Sequence, residues 1–205
     1  MISVLRRILC QFALLAGLLA CAQTSVASEA SDWGLESLMA KLAQVSKAEL
    51  DFTEIHTSIF LTDELVTSGT MTYRAPDFIS KQVQKPYKEK IRISGDQIFI
   101  EKENSKGNSQ KKVYSLTNYE GLNTAVESVR ATLAGNLSGL VDHFDVELAG
   151  LIDSWKLTLL PKTETSKEFV EEIVVNGSAE KINQIETTEP NGDESRLILT
   201  YKILE

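Results

Sequence analysis

Residues 65–102 of the chain read LVTSGTMTYRAPDFISKQVQKPYKEKIRISGDQIFIEK, and this stretch decides the class of fold. Apolar and polar side chains alternate along it, as in Met71 and Tyr73 against Thr70 and Thr72. A period of two places the apolar residues of a β-strand on one face. Gly95-Asp96 breaks the alternation and has the composition of a tight turn. The stretch therefore predicts short antiparallel strands over 65–74, 78–84, 87–94 and 97–102.

The same period recurs on both sides of this stretch. It predicts strands over 50–61, 112–116, 144–149, 154–160, 168–176, 180–187 and 195–203, with turn signals at Asn176-Gly177 and Asn191-Gly192. Apolar residues at helical spacing predict a first helix over 33–47 and a second from Leu122 to Leu133 that ends near Gly135. Asn136 can begin a third, short helix that ends near His143.

The number of strands constrains their arrangement. Roughly eleven short antiparallel strands in one domain must curl, because right-handed twist accumulates across a sheet. Helices with one apolar stripe each then cover its concave side. The expected fold class is α+β, a strongly curved antiparallel sheet that forms an unclosed β-barrel of about 11 strands with helices over the concave face. Its hollow either holds an acyl chain, when the helices move aside, or is an ordinary filled core.

Residues 1–27 have the composition of an export signal. Arg6 and Arg7 form its positive region, residues 8–19 are an apolar run too short to span a bilayer, and small residues precede a cleavage point after Ala27. The predicted organisation is a signal peptide over 1–27 and one domain over 28–205, located in the periplasm. Cleavage before Cys21 is the alternative, and it predicts a lipoprotein anchored to a membrane through the acylated Cys21.

The composition excludes several classes of function. The chain has 21 Lys and Arg against 29 Asp and Glu, a net charge of −8 that argues against binding nucleic acid. Cys10 and Cys21 both lie in the predicted signal, so the mature domain has no disulfide and no thiolate nucleophile. His56 and His143 lack metal-ligand spacing, and no Gly-x-Ser-x-Gly or phosphate-binding motif occurs. We expect no enzymatic activity, no metal and no cofactor.

Several motifs, in chain order from about residue 33 to 200, resemble those of the periplasmic outer-membrane lipoprotein carriers, the LolA-like proteins. They are Ala48-x-x-x-Phe52-x-Glu54, Ser68-Gly69-x-Met71-x-Tyr73-Arg74-Ala75-Pro76-Asp77, Pro86, Gly95-Asp96, Trp155-x-Leu157-x-Leu159-x-Pro161 and Ile182-x-x-Ile185-Glu186. Two strands depart from the family pattern. Phe78-Ile79-Ser80-Lys81 stands where the family has an aromatic-Arg-aromatic strand whose Arg links to the lid, and Ile98-Phe99-Ile100 replaces its Trp-x-Tyr.

The resemblance implies an unclosed barrel, lidded by helices, that carries acylated cargo across the periplasm. The implied partners are the cargo (a lipoprotein, lipid or glycolipid), an inner-membrane donor complex and an outer-membrane acceptor, with the carrier itself a monomer. A divergent member can serve the general lipoprotein pool or a different lipid or hydrophobic pigment precursor. Two further hypotheses are a membrane-tethered receptor acylated at Cys21 and a lipid-sensing module that acts through a protein contact.

The candidate site consists of two sets of apolar residues. The expected cavity lining is Phe52, Met71, Tyr73, Ile91, Ile93, Ile98 and Ile100, and the expected lid residues are Leu122, Val126, Val129 and Leu133. The same patterns are also typical of an ordinary core and of a permanently packed amphipathic helix. Arg130, in the lid segment, either contacts cargo head groups or caps the cavity; the bare sequence favours a solvated charge on the outer face of the helix.

Overall fold

The computed structural model describes residues 33–104, 106–118 and 120–202. The predicted signal peptide over 1–27, with Cys21, lies outside these residues. Within them, eleven strands form one antiparallel sheet. The strands are β1 (Lys47–Thr57), β2 (Leu65–Arg74), β3 (Phe78–Lys85), β4 (Glu89–Ser94), β5 (Gln97–Glu103), β6 (Ser109–Ser115), β7 (Phe144–Leu151), β8 (Ser154–Pro161), β9 (Glu172–Ser178), β10 (Lys181–Thr188) and β11 (Glu194–Tyr201).

The sheet is unclosed. Its strand order is β6-β5-β4-β3-β2-β1-β11-β10-β9-β8-β7, so β6 and β7 are its two edges. β1 and β11, the first and last strands, pair at the middle, where Phe52 lies opposite Leu199. Every other neighbour in the sheet is also a neighbour in the chain, as expected for strands joined by short turns. The predicted α+β fold with an unclosed sheet of about eleven strands is confirmed.

Four α-helices complete the described part of the chain: α1 (Leu35–Leu42), α2 (Glu120–Leu133), α3 (Leu137–His143) and α4 (Glu164–Lys167). Gly135, at φ +62°, ends α2 in the left-handed conformation that glycine adopts without strain. Asn136 then caps α3, because its side-chain oxygen accepts a hydrogen bond from the Gly139 amide at 3.1 Å. The two predicted middle helices are therefore confirmed, with their boundary at Gly135.

The helices pack on one face of the sheet, which we call the inner face. Its main core joins the buried α1 residues Leu38, Met39 and Leu42 to side chains of both halves of the sheet, such as Leu50 and Leu157. A smaller cluster contains Ile98, Leu116 and Val126. Because directly opposed residues of paired strands share a face, the register assigns each side chain to the inner or the outer face.

Some local predictions were wrong. Asn176-Gly177 is not a turn but lies inside β9, where Gly177 is opposite Trp155. A Cβ atom at position 177 would lie 2.1 Å from the Trp155 ring, so this glycine makes room for the indole. The segment predicted as a strand over 168–176 begins its strand only at Glu172, after α4. β6 starts at Ser109 rather than 112, and α1 is shorter than the predicted helix over 33–47.

Candidate functional site

The predicted cavity residues lie on β1, β2, β4 and β5, and the register brings them to the inner face. Tyr73 is opposite Ile79, Ile79 is opposite Ile93, and Ile93 is opposite Ile98, which forms one row across four strands. A neighbouring row runs Leu50, Met71, Lys81, Ile91 and Ile100. Phe52 lies two residues farther along β1, opposite Gly69.

These residues differ in how far they are covered. Phe52, Tyr73 and Ile98 are buried, with exposed fractions of 3%, 3% and 6%. Met71, Ile91, Ile93 and Ile100 are only half-buried, and we call these four residues the open strip. On β8 and β9, by contrast, the inner-face side chains are sealed. They include Trp155, Leu157, Leu159, Ile173 and Val175, none of which exceeds 4% exposure. On β10, Ile182 is buried and Ile185 is partly buried.

The predicted lid residues belong to α2, which contacts both halves of the inner face. Val126 is buried against Ile98 and Leu116, next to Ile91, Ile93 and Ile100. Val129 and Leu133 pack against the main core. The side chain of Leu122 lies outside the described part of the structure. The helix therefore lies across the sheet, with its middle residues over the edge of the open strip.

A narrow apolar groove remains between α2 and the sealed half of the sheet. It has a cavity volume of only about 10 Å³ and is lined by Val129, Thr132, Leu133, Leu159, Ile173, Val175, Ile182 and Ile185. Pockets that bury a ligand of drug size measure roughly 300–1,000 Å³. None of the seven predicted cavity residues lines this groove. An acyl chain under α2 would therefore require the helix to move away from the sheet.

Arg130 fastens α2 to the sheet, so the expectation of a solvated outer-face charge was wrong. Its side chain is buried, with an exposed fraction of 8% for the residue. Nη2 donates a 2.6 Å hydrogen bond to the carbonyl of Gly95, in the turn between β4 and β5. Nη1 pairs with Glu127 at 2.7 Å, whereas Nε has no partner. The same Gly95 donates its amide to Asp77 at 3.0 Å, which ties α2 to two turns of the sheet.

One end of the inner face is polar, and we call its residues the polar rim: Glu54, Lys81, Tyr87, Glu89 and Lys102. Lys81 Nζ lies 2.5 Å from Glu54 Oε2. Lys102 pairs with Glu89 at 3.3 Å and lies over the Tyr87 ring at 4.8 Å. Lys81 lies over the Phe52 ring at 5.0 Å. The rim thus contains two cations and two carboxylates next to the apolar rows.

Tyrosine phenols of the inner face are held neutral. Burial, followed by the charge of Asp77, raises the pKa of Tyr73, whose hydroxyl has no hydrogen-bond partner. Burial and the neighbouring Glu89 raise the pKa of Tyr87. Burial also raises the pKa of Tyr201, although its hydroxyl accepts a 3.0 Å hydrogen bond from the Ile182 amide. Desolvation disfavours the phenolate in each case.

The two histidines lie on different elements of the described structure. His56 lies half-buried on β1 and His143 is exposed at the end of α3. Residues 33–104, 106–118 and 120–202 hold no group of three or more side chains suited to a metal ion. In this same part of the chain, no helix is both long and apolar enough to cross a membrane.

The sequence analysis assigned no role to Lys81 and favoured the outer face of the helix for Arg130, although the sequence carried a signal for the position of each. Arg130 is four residues after Val126, which places it beside the apolar stripe of α2 rather than opposite to it. Lys81 lies between Ile79 and Val83 at strand spacing, so the period of two already assigned it to the apolar face.

Comparisons with known proteins agree with this architecture. A family model described as "Outer membrane lipoprotein carrier protein LolA-like" matches residues 25–202. A search of curated proteins gives no significant match.

Similar solved structures include a LolA superfamily protein from Nitrosomonas europaea, at 10% identity and a TM-score of 0.45, covering 84% of this chain and 94% of that one. A putative outer membrane lipoprotein-sorting protein domain from Vibrio parahaemolyticus has 10% identity and a TM-score of 0.31, with 84% and 94% covered. A MucA/MucB complex of Pseudomonas aeruginosa has 9% identity and a TM-score of 0.43, with 83% and 58% covered. These TM-scores are too low to support an argument about function. The family match spans most of the chain, and the chain therefore belongs to the LolA-like family of outer membrane lipoprotein carrier proteins.

Proposed function

We propose that this protein is a periplasmic carrier that binds acyl chains of a lipoprotein or another lipid on its inner face and ferries the cargo toward the outer membrane. The single observation that carries the proposal is the open strip. Four large apolar side chains, Met71, Ile91, Ile93 and Ile100, remain only partly buried on the face that the helices cover. A cargo chain can complete the burial that α2 leaves unfinished.

The energetics favour a carrier with a movable lid. Each buried methylene contributes about 0.8 kcal/mol, so a chain of roughly 14 to 16 carbons gains on the order of 10 kcal/mol on leaving water. It gains almost nothing relative to a bilayer, which is equally apolar. Cargo must therefore be loaded by a donor and must be released readily to an acceptor. A lid whose own packing competes with the cargo lowers the net affinity to the range in which both steps are possible.

α2 has the contacts expected of such a lid. It is held by Val126, Val129 and Leu133 on the apolar side and by the hydrogen bond from Arg130 to the Gly95 carbonyl. Each contact has to be broken for the helix to leave the groove. The proposed partners are an inner-membrane donor complex and an outer-membrane acceptor, with the carrier acting as a monomer.

The test is to lock α2 onto the sheet with a disulfide. The mature domain has no cysteine of its own, so V126C combined with I98C gives a single pair within one buried cluster. We expect the reduced double variant to bind a fluorescent acyl probe and the oxidised one to lose most of that binding. The single variants V126C and I98C, under the same oxidant, are the controls. Equal binding by oxidised and reduced forms would contradict a movable lid.

Cleavage of the signal peptide distinguishes the soluble form from the membrane-tethered form. We expect the mature mass to be unchanged when cells are treated with an inhibitor of lipoprotein signal peptidase, because cleavage follows Ala27. Accumulation of an uncleaved precursor under the inhibitor would instead favour a receptor acylated at Cys21. A lipid-sensing module would bind lipid without moving it, so a lack of transfer between donor and acceptor vesicles would favour that role.

A further inference from the structure

The ion pair between Lys81 and Glu54 lies in an unusual place. Lys81 belongs to the inner face, where both of its cross-strand neighbours are apolar, Met71 on β2 and Ile91 on β4. Its side chain is 19% exposed and that of Glu54 is 24% exposed. A charged pair in this position loses hydration, and replacing such pairs with apolar residues is often neutral or stabilising. Stability of the sheet alone therefore does not account for the lysine.

The two charged groups differ in how far their capacity for hydrogen bonds is filled. Glu54 accepts from Lys81 at 2.5 Å and from Thr67 at 3.2 Å on Oε2, and from Ser195 at 3.4 Å on Oε1. The Lys81 ammonium has three N–H donors. One of them reaches Glu54, and the Phe52 ring lies 5.0 Å from Nζ. The pair thus has donor capacity left on its lysine, whereas the carboxylate already has three donors.

The position of the pair fits one end of a bound amphiphile. Lys81 lies between Met71 on β2 and Ile91 on β4, and on the β4 side the open strip continues to Ile100 and Ile93 beside the lid residue Val126. A chain lying over Ile91, Ile93 and Ile100 would therefore begin at the ammonium and end under α2. An ammonium with partial exposure forms strong charge-assisted hydrogen bonds to an anionic oxygen.

We propose that Lys81 is the head-group subsite of this carrier and that it selects amphiphiles with an anionic head, a carboxylate or a phosphate, over neutral ones of the same chain length. Glu54 positions the ammonium and weakens its hold on the ligand by competing for it. This inference rests on the proposed acyl-binding function and adds to it the chemical class of the cargo.

The test compares three ligands that share a 16-carbon chain: hexadecanoate, hexadecyl phosphate and hexadecanol. Each displaces a fluorescent acyl probe from the purified mature chain. We expect the wild type to bind at least one of the two anions about tenfold more tightly than hexadecanol. The anion that shows the preference identifies the source of the head group.

Two variants separate recognition from structural support. In K81M the preference for the anion should fall to about one, with hexadecanol binding retained. In E54Q the preference for the anion should rise, because the Glu54 carboxylate no longer competes with the anionic ligand for the Lys81 ammonium. Each preference is a ratio measured on one protein sample, so partial unfolding cancels. K88M is the matched control, since Lys88 also pairs with a glutamate, Glu103 at 3.3 Å, but is 70% exposed.

The outcomes are distinct. Equal affinity of the wild type for both anions and for hexadecanol would overturn the head-group subsite and leave the carrier proposal intact. A preference that falls in both K81M and E54Q would assign the pair a purely structural role and would also overturn it. Failure of all three ligands to bind the wild type would instead overturn the carrier function on which the inference rests.

Discussion

The two halves of the inner face are built alike and covered differently. On β8 and β9 the inward side chains, such as Leu157 and Leu159, are at most 4% exposed. On β2, β4 and β5 the inward side chains Met71, Ile91, Ile93 and Ile100 are only partly buried, although they are equally apolar. The main core, with α1 and α3, covers the first half and extends to Tyr73 and Ile79, whereas Ile91 and Ile100 pack against the small cluster that contains Val126 of α2. We propose that the first half provides stability and that the second half binds cargo.

The largest effect should come from a cavity in the sealed half. L157A removes a fully buried side chain and should cost about 2–5 kcal/mol of unfolding free energy. I100A, in the open strip, should cost roughly 1–2 kcal/mol, because less apolar surface is lost from the interior. Urea unfolding of both variants measures the difference. Equal costs would show that the open strip is as well packed as the sealed half.

The same two variants should affect the binding of an acyl probe in the reverse order. The folded fraction of L157A should keep its affinity for an acyl probe, whereas I100A should lose affinity because it removes contact surface from the strip. The two variants together test whether the halves have separate roles. Loss of probe binding in L157A with retention in I100A would assign binding to the sealed half and would contradict the proposed roles.

An intermediate effect is expected where α2 is fastened. R130M removes the hydrogen bond to the Gly95 carbonyl and should cost about 1.5–3 kcal/mol, as for other hydrogen bonds of charged groups. Amide hydrogen exchange should accelerate over residues 120–133 and remain unchanged on β8 and β9. E127Q, which removes the more exposed partner of Arg130, should change stability by less than about 1 kcal/mol. Uniform acceleration across the whole sheet would contradict a lid that opens independently.

The smallest effect concerns the unpaired hydroxyl of the open half. Y73F removes a buried group without a partner, so stability at neutral pH should be unchanged or higher by about 1 kcal/mol. Burial and Asp77 raise the pKa of Tyr73 above its unfolded value, so its contribution is present below about pH 10 and is lost as pH rises through the folded pKa. Y73F should therefore lose less stability than the wild type in this alkaline range. If Y73F and the wild type lose the same stability in this range, the loss would be due to Tyr87 and Tyr201 instead.

The alternation of side chains was enough to predict the class of fold, because a period of two fixes the face of every residue once the strands pair. It placed nearly every strand within a few residues and assigned the seven cavity candidates to one face. The error at Asn176-Gly177 has a physical cause. The pair has the local composition of a turn, but Gly177 is needed opposite Trp155, a contact between residues 22 positions apart that no local pattern contains.

The candidate site was harder to predict, because it depends on which apolar residues the helices leave uncovered. Ile98 and Ile100 are the same residue type, two positions apart on the same face of β5, yet Ile98 is buried in the cluster with Val126 and Ile100 is only partly buried against it. The positions of two charged residues were not predicted, for a different reason. Arg130 was predicted to be a solvated charge, and Lys81 was named only within a strand that departs from the family pattern, whereas each has a partner, Gly95 or Glu54, on another element.

Native mass spectrometry of the protein purified from its own cells tests most directly whether the inner face holds cargo. We expect one bound molecule that contains an acyl chain, lost in M71R and retained in T72R, whose side chain lies on the outer face of the same strand. A protein that carries no lipid, and that no added acyl ligand stabilises, would contradict the proposed carrier function.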